Sequence, residues 1–368
     1  MRKLIMTIIS ATLVTFACSC STAEPATNLP KQLKDLKATK VIALSSLACA
    51  ITNNKNVYCW KLNTKKNEQA LLFPVNFGET KGDEVVQIFG QGSTSPGGAL
   101  ETGDYACATF ASGKIMCWGN TYYKDGLMDA EILLPGLSPE FDGKSLLAQT
   151  LINKGLGSMH NTPTPKLILS HNVVCSLSNN TLYCPHAHLL RYSGLKHIQD
   201  AFFGGDETCL IDKNNTLRCY NELGDYDQMS ASDVIFERKN VKFYIAETLA
   251  GSGLCIIDTQ DRAYCNAPLI SPTSTDTWDL KLVRKHVKAV TVTESHACTL
   301  LKNGSVYCWG YNYYNQIDPT HTDDIPAPGQ KISLRGKVTQ QAIGPGYSCF
   351  LLEDESIECI GKTFEIED

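Results

Sequence analysis

Long apolar runs are nearly absent from this chain of 368 residues. Residues 4–17 form the one candidate, and nothing after them approaches the ~18 consecutive apolar residues of a membrane-spanning helix. Basic runs are missing too. None exceeds a pair such as Lys65-Lys66, and 33 Lys and Arg stand against 38 Asp and Glu, a formal charge of −5. A protein that grips a phosphate backbone needs a surplus of cations, so nucleic acid is not an expected partner. There is no Gly-x-Ser-x-Gly motif, no phosphate-binding loop and no zinc-protease motif. Acidic pairs such as Asp323-Asp324 read as solvated loop residues rather than a catalytic dyad. No catalytic residue, metal site or cofactor is assigned, and the chain reads as a non-enzyme. Hydrophobic residues at 43% and charged ones at 19% still describe a chain that buries a core.

Cysteine is abundant: sixteen are present, far too many for an ordinary cytosolic enzyme. The N-terminus explains them. Arg2-Lys3, an apolar stretch from Leu4 to Ala17 and a small-residue exit make residues 1–23 a secretory signal, and export leads to an oxidising compartment. The exit has two readings. Cys18 and Cys20 each follow a small residue, as in a loose bacterial lipobox, and are candidate lipidation sites; both lack the usual Leu three positions earlier. Ser21-Thr22-Ala23 offers simple secretion instead. Residues 24–37 read as a polar tether, leaving 38–368 as the folded part. Contact with a membrane is expected only through the lipid anchor.

Fourteen cysteines follow the signal, in seven pairs: Cys49 with Cys59, Cys107 with Cys117, Cys175 with Cys184, Cys209 with Cys219, Cys255 with Cys265, Cys298 with Cys308 and Cys349 with Cys359. First cysteines advance from 49 to 349 in six steps, a period of about 50 residues, which marks a solenoid or propeller. The clearest copy runs from Ser295 to Gly310. Its alternation on both sides of a turn triplet predicts a β-hairpin. With Cys298 opposite Cys308, the loop is Lys302-Asn303-Gly304, and Gly304 takes the left-handed position that such loops need. Asn215 and Asp261 suit the same position elsewhere, whereas Lys55 and Glu355 suit it poorly. The odd pair, Cys175 and Cys184, is one residue shorter and then closes on Asn179-Asn180 as a two-residue type I′ turn. Zinc sites want closer cysteine pairs, Cys-x(2–4)-Cys, so structural disulfides are the favoured reading over metal.

Neither face of the clearest hairpin is polar. Cys298, Leu300, Val306 and Cys308 share one face; Ala297, Thr299, Leu301, Tyr307 and Trp309 share the other. Sheets buried on both faces fit stacked propeller blades. Val41–Leu44, Val85–Ile88, Val287–Val290 and Val338–Ile343 supply a strand before the hairpin. The proline-bearing segments around Pro74 and Pro326 suit an outer edge strand. The fold expected is all-β, a seven-bladed propeller with one disulfide inside each blade hairpin.

The pattern V-x-x-(I/V), then C-x-L-x-x-(N/S)-G-x-(V/I)-x-C-W-G-x-N, resembles the regulator of chromosome condensation (RCC1) repeat in the cysteine-bearing form of bacterial exported proteins. It is strongest at 287–312 and 105–120, recognisable at 41–60, 196–220 and 338–361, and degraded at 167–184 and 239–265. The Trp-Gly-x-Asn tail is lost from most copies, and the Gly-Gln-Leu-Gly that often follows survives only as Asn315-Gln316-Ile317. Kelch repeats share the period, but their double glycine is not repeated here. The resemblance implies a seven-bladed ring. Nuclear members promote nucleotide exchange on a small GTPase and bind chromatin, which a signal peptide argues against; secreted bacterial members include a β-lactamase inhibitor, a pure protein binder.

Two stretches exceed the repeat, Gln91–Asp104 and Asn120 to about His160. Tyr122, Tyr123, Tyr311, Tyr313 and Tyr314 follow the two intact Trp-Gly motifs and are candidate binding-loop residues, the alternative being that they pack within the ring. Trp60, Trp118 and Trp309 read as blade core. His186 and His188 have a metal-compatible spacing but no third ligand, and His296 resembles the family's recurrent histidine. The function expected is an exported or lipid-anchored binding scaffold that engages a protein or glycan at the cell surface, with a channel enzyme or a structural surface component as alternatives. Seven disulfides make a direct prediction: intact mass after alkylation rises by fourteen alkyl groups only when the mature protein is first reduced. Thiols that react in the native protein would contradict it.

Overall fold

The structure, a computed structural model, describes residues 32–44, 47–62, 70, 72–77, 83–92, 104–111, 115–119, 166–170, 173–183, 195–203, 207–221, 234–247, 253–266, 279–293 and 295–362. Cys298 lies opposite Cys308, Thr299 opposite Tyr307 and Leu300 opposite Val306. The amide of Leu301 donates to Ser305 O at 2.8 Å, and that of Gly304 to Leu301 O at 3.0 Å. Bonded and non-bonded pairs alternate along an antiparallel ladder, so the cysteines occupy a non-bonded pair, the kind that stands closest. Five bridges have Cα atoms 4.0–4.1 Å apart: Cys49–Cys59, Cys209–Cys219, Cys255–Cys265, Cys298–Cys308 and Cys349–Cys359. Cys107 is also bridged and pairs with Cys117 in the ladder.

Cys184 lies outside the described residues, and the expected bond between Cys175 and Cys184 lies outside them with it. Five of the seven expected bridges thus have a defined geometry, and Cys107 is bridged in a sixth hairpin. The turn between Cys175 and Cys184 is described: Asn179 and Asn180 have φ of 49° and 58°, as a type I′ turn requires.

The turns override residue preference. Gly304, Asn215 and Asp261 take positive φ as expected, and so do the poorly suited Lys55 (62°) and Glu355 (69°). Left-handed backbone costs a residue with a Cβ roughly 1–2 kcal/mol. A paired and bridged ladder on both sides leaves these turns no alternative path.

Seven antiparallel sheets occur among the described residues. In chain order they comprise β1 (Ala38–Ala43), β2 (Ala48–Thr52), β3 (Val57–Trp60) and β4 (Leu72–Pro74); then β5 (Val85–Gly92), β6 (Asp104–Phe110) and β7 (Ile115–Gly119). Next come β8 (Lys166–Ser170), β9 (Val173–Ser178) and β10 (Thr181–Tyr183), followed by β11 (Ile198–Phe203), β12 (Glu207–Asp212), β13 (Leu217–Asn221) and β14 (Val234–Arg238). The fifth sheet holds β15 (Val241–Glu247), β16 (Gly253–Asp258), β17 (Arg262–Cys265) and β18 (Lys281–Lys285). The last two hold β19 (Val287–Val292), β20 (His296–Leu301), β21 (Val306–Gly310) and β22 (Ile325–Lys331), and β23 (Val338–Gly344), β24 (Tyr347–Leu352) and β25 (Ile357–Gly361). Each sheet is a simple meander, including the copies whose sequence pattern is degraded. Pro74, Pro326 and Pro328 lie in the edge strands β4 and β22, where a missing N–H breaks no inner ladder.

The first strands β1, β5, β8, β11, β15, β19 and β23 each lie beside the next, and β23 lies beside β1, closing a ring. Six of them break register one residue in, with Thr39, Val86, Gln199, Lys242, Lys288 or Thr339 at the bulge, all exposed.

Packing is between sheets. Cys298, Cys308 and Leu300 meet Val338, Ile343 and Phe350 of the following sheet, while Trp309 and Ala297 meet Cys255, Cys265 and Ile257 of the preceding one. Trp60 and Trp309 are fully buried, as expected of core residues. At the hairpin-turn end, the left-handed turn residue of one sheet accepts the first amide of the next: Asn215 O from Val241, Asp261 O from Val287 and Gly304 O from Val338, at 2.8–3.0 Å. Around the outside, Arg238 stacks on Tyr264 of the next sheet at 4.3 Å, Arg284 on Tyr307 at 3.8 Å, and Arg335 bonds Glu358.

The joint between the last and first sheets repeats this scheme. Ala38 N donates to Glu355 O at 2.9 Å. The Gln340 side chain pairs with both N and O of Val41 at 3.2 and 2.8 Å. Tyr347 Oη accepts from Leu44 N and lies 2.7 and 2.6 Å from Leu44 O and Leu47 O. Its ring lies against Gly344, where a Cβ would come within 2.1 Å of it. Leu33 and Leu36 are buried in the same joint. The segment read as a tether therefore ends inside the fold, because two leucines in it complete an apolar seam. Tyr347→Phe is expected to cost about 1–2 kcal/mol and to raise hydrogen exchange at Leu44 above that of other seams. Urea unfolding with site-resolved exchange checks this; uniform protection would show that the hydroxyl does not hold the joint.

Candidate functional site

The loop between β21 and β22 is the best-defined candidate, and its shape follows from the sequence around it. Trp309 is drawn into the seam with the preceding sheet. Gly310 follows at φ +114°, where a Cβ would stand 2.5 Å from Ser295 O, so the chain can leave the sheet only through glycine. Asn312, 0% exposed, then organises the loop. Its Nδ2 donates to the carbonyls of Asp318 (3.1 Å) and His321 (2.6 Å), and its Oδ1 accepts the amides of Ile317 (2.9 Å) and Asp318 (3.0 Å). All the hydrogen-bonding capacity of one buried amide is thereby used.

Further ties hold the loop. Asn315 Nδ2 bonds His321 O at 2.8 Å, and Gln316 Oε1 accepts the Tyr314 amide at 2.9 Å. The Asp318 carboxylate accepts the Thr320 hydroxyl (2.6 Å) and amide, and the Gln330 amide at 2.7 Å. The Thr320 hydroxyl and then its N–H hold the Asp318 carboxyl below its ordinary value.

This frame separates the three predicted tyrosines. Tyr311 and Tyr313 are 56% and 72% exposed. Tyr314 is half-buried; its ring lies edge-on to Tyr313 at 5.0 Å and close to Gly346. Tyr122, Tyr123, Cys184, His186, His188, Cys18, Cys20 and most of the two long insertions lie outside the described residues. Among the described residues no group of three His, Cys, Asp or Glu side chains is placed to hold a metal ion.

His296 braces the loop from below. Ser348 Oγ donates to Gln316 O at 2.8 Å, so the His296 Nε2 that meets it at 2.8 Å must carry the proton. Nδ1 then faces the hydroxyls of Ser295 and Thr293 at 2.9 and 3.2 Å. Full burial pulls the His296 pKa down to about 3. Sequence reasoning marked His296 but missed Asn312 as the organiser, although the Trp-Gly-x-Asn motif contains it. It also missed Asp261, whose carboxylate is held by Lys242 and Lys302 from two sheets and lowered by them to about 2.

The regulator of chromosome condensation (RCC1) repeat model matches residues 287–316, the span that includes β19 to the start of this loop. Human WBSCR16 superposes with a TM-score of 0.55 at 12% identity, over 84% of this chain and 85% of that one. Prp20p of Saccharomyces cerevisiae, studied for its binding to Gsp1p and histones, gives 0.53 at 13% identity over 89% and 82%. The fold is an RCC1-like repeat β-propeller. PorZ of Porphyromonas gingivalis, a surface component of the type-IX secretion system, superposes at 0.50 and 11% identity over 92% of this chain and 39% of its own. By sequence, no curated protein matches the propeller.

Two outcomes are expected. Asn312→Ala should leave the propeller folded while the Ile317 and Asp318 amides lose their exchange protection; unchanged protection would assign the loop's order to other contacts. The second concerns pH. His296 has its pKa lowered in the fold, so its contribution is complete above ~6.5 and is lost as pH falls toward about 3. Stability should therefore fall from pH 6.5 to about 5.5, by up to ~1.4 kcal/mol per unit, before carboxylates titrate. His296→Gln should flatten that window, and an identical slope in the variant would exclude the histidine.

Proposed function

We propose that this propeller is an exported scaffold, lipid-anchored or secreted, that binds a protein partner at the bacterial envelope through its loop end. The observation that carries the reading is a loop fixed by one buried asparagine that holds two tyrosine rings out in solvent. Exposed large aromatics on a pre-ordered frame are what interface hot spots use, since little side-chain and loop entropy is lost on binding. The bridged cysteines suit an oxidising compartment, which agrees with the signal-like N-terminus. Prp20p, of the same fold, is a protein binder, and its example supports a protein partner over a glycan.

The experiment is affinity capture from the source cell's envelope and medium, comparing the mature domain with Tyr311→Ser/Tyr313→Ser. A partner retained by the first should lose affinity for the variant about tenfold or more, measured with the purified pair. A partner held equally by both would move the site away from this loop.

A further inference from the structure

Residues 311–330 contain no lysine or arginine, but three aspartates, Asp318, Asp323 and Asp324. Asp318 is occupied inside the loop by Thr320 and Gln330. Asp323 and Asp324 are exposed and make no ion pair among the described residues. They follow directly on the arm that Asn312 ties to the tyrosine arm through the carbonyls of Asp318 and His321. The loop thus offers two uncovered rings and two uncompensated carboxylates on one braced frame.

Elsewhere the protein shows what such a ring takes. Arg238 lies over Tyr264 and Arg284 over Tyr307, each guanidinium supplied by the neighbouring sheet. A guanidinium is planar, weakly hydrated and attracted by the negative face of a phenol ring, and it pairs with carboxylates through fixed donors. Tyr311 and Tyr313 have no such arginine in their own loop. We infer that the β21–β22 loop docks an arginine-bearing segment of a protein partner, the guanidinium stacking on Tyr311 or Tyr313 while Asp323 and Asp324 take its charge. This rests on the scaffold reading and adds the partner's chemistry: basic, with arginine favoured over lysine.

The test uses the mature protein with tyrosine rings labelled with carbon-13, followed by NMR. Three synthetic peptides serve as probes, each a Gly-Ser repeat carrying three arginines, three lysines or three glutamates. The arginine peptide should shift the Tyr311 and Tyr313 ring signals saturably, the lysine peptide less and the glutamate peptide not at all. The shifts should weaken with salt. Asp323→Asn/Asp324→Asn, both on exposed positions, should weaken the arginine peptide about fivefold or more without moving the ring signals of buried Tyr347. No response to the arginine peptide, an equal response to the glutamate peptide, or an unchanged affinity in the double Asn variant would each overturn the inference. A natural partner captured through the tyrosines despite a silent arginine peptide would remove the basic chemistry alone. A capture indifferent to the tyrosines would remove the scaffold reading beneath it.

Discussion

The inner strands β2, β20 and β24 have no solvent face to spare, and the rest of the structure depends on that. Hairpin residues on both sides of the strands are buried, so a single sheet exposes two apolar surfaces and must be covered by two neighbours. Six of the seams have their own buried cluster among the described residues. Only closing the ring removes the last pair of open faces. The last four sheets follow one another through short linkers, Arg238 to Val241, Lys285 to Val287 and Lys331 to Val338, but the first and last sheets are separated by about 300 residues, for instance Leu44 from Tyr347. Loop-closure entropy grows with that separation, though slowly. The closing seam is held by its own side-chain hydrogen bonds: the Gln340 amide imitates a strand against Val41, and Tyr347 reaches two carbonyls.

The disulfides work on a different scale. Each closes only ten residues, within one hairpin, and the loop-entropy model assigns roughly 2–3 kcal/mol to such a link. They do not join sheet to sheet, so they cannot close the ring. Their effect is to make each hairpin persist with its bridge facing the next seam, which lowers the ordering that stacking must still supply. A repeat with strong local units and nearest-neighbour seams follows from this division.

Much of this was legible in the residues. Cysteine spacing implied the register, and the one shortened pair, Cys175 and Cys184, implied its own turn type, because opposed cysteines leave a loop of fixed length. Prolines marked edge strands for want of an N–H. What escaped was set by neighbours distant in sequence. Leu33 and Leu36 sit among lysines and looked like tether until a seam formed over them. Lys55 and Glu355 looked unsuited to their turns because propensity is weak against a closed ladder. The tyrosines were visible as a group, but their division into two exposed rings and one packed ring depends on Asn312, whose four partners are all backbone groups. Side-chain pattern says nothing of backbone acceptors.

That dependence also ties the function to the fold. A loop that had to order itself on binding would lose affinity for every residue it fixed. Here the ordering is done before any partner arrives: Trp309 is anchored in a seam, Gly310 permits the exit, and Asn312 joins the two arms. Ser348 connects Gln316 to the last sheet and His296 to the same point. The tyrosines therefore inherit their rigidity from two neighbouring sheets at once. Weakening the seam between those sheets should reach a partner bound at Tyr311 and Tyr313 through lost order, with no contact residue altered.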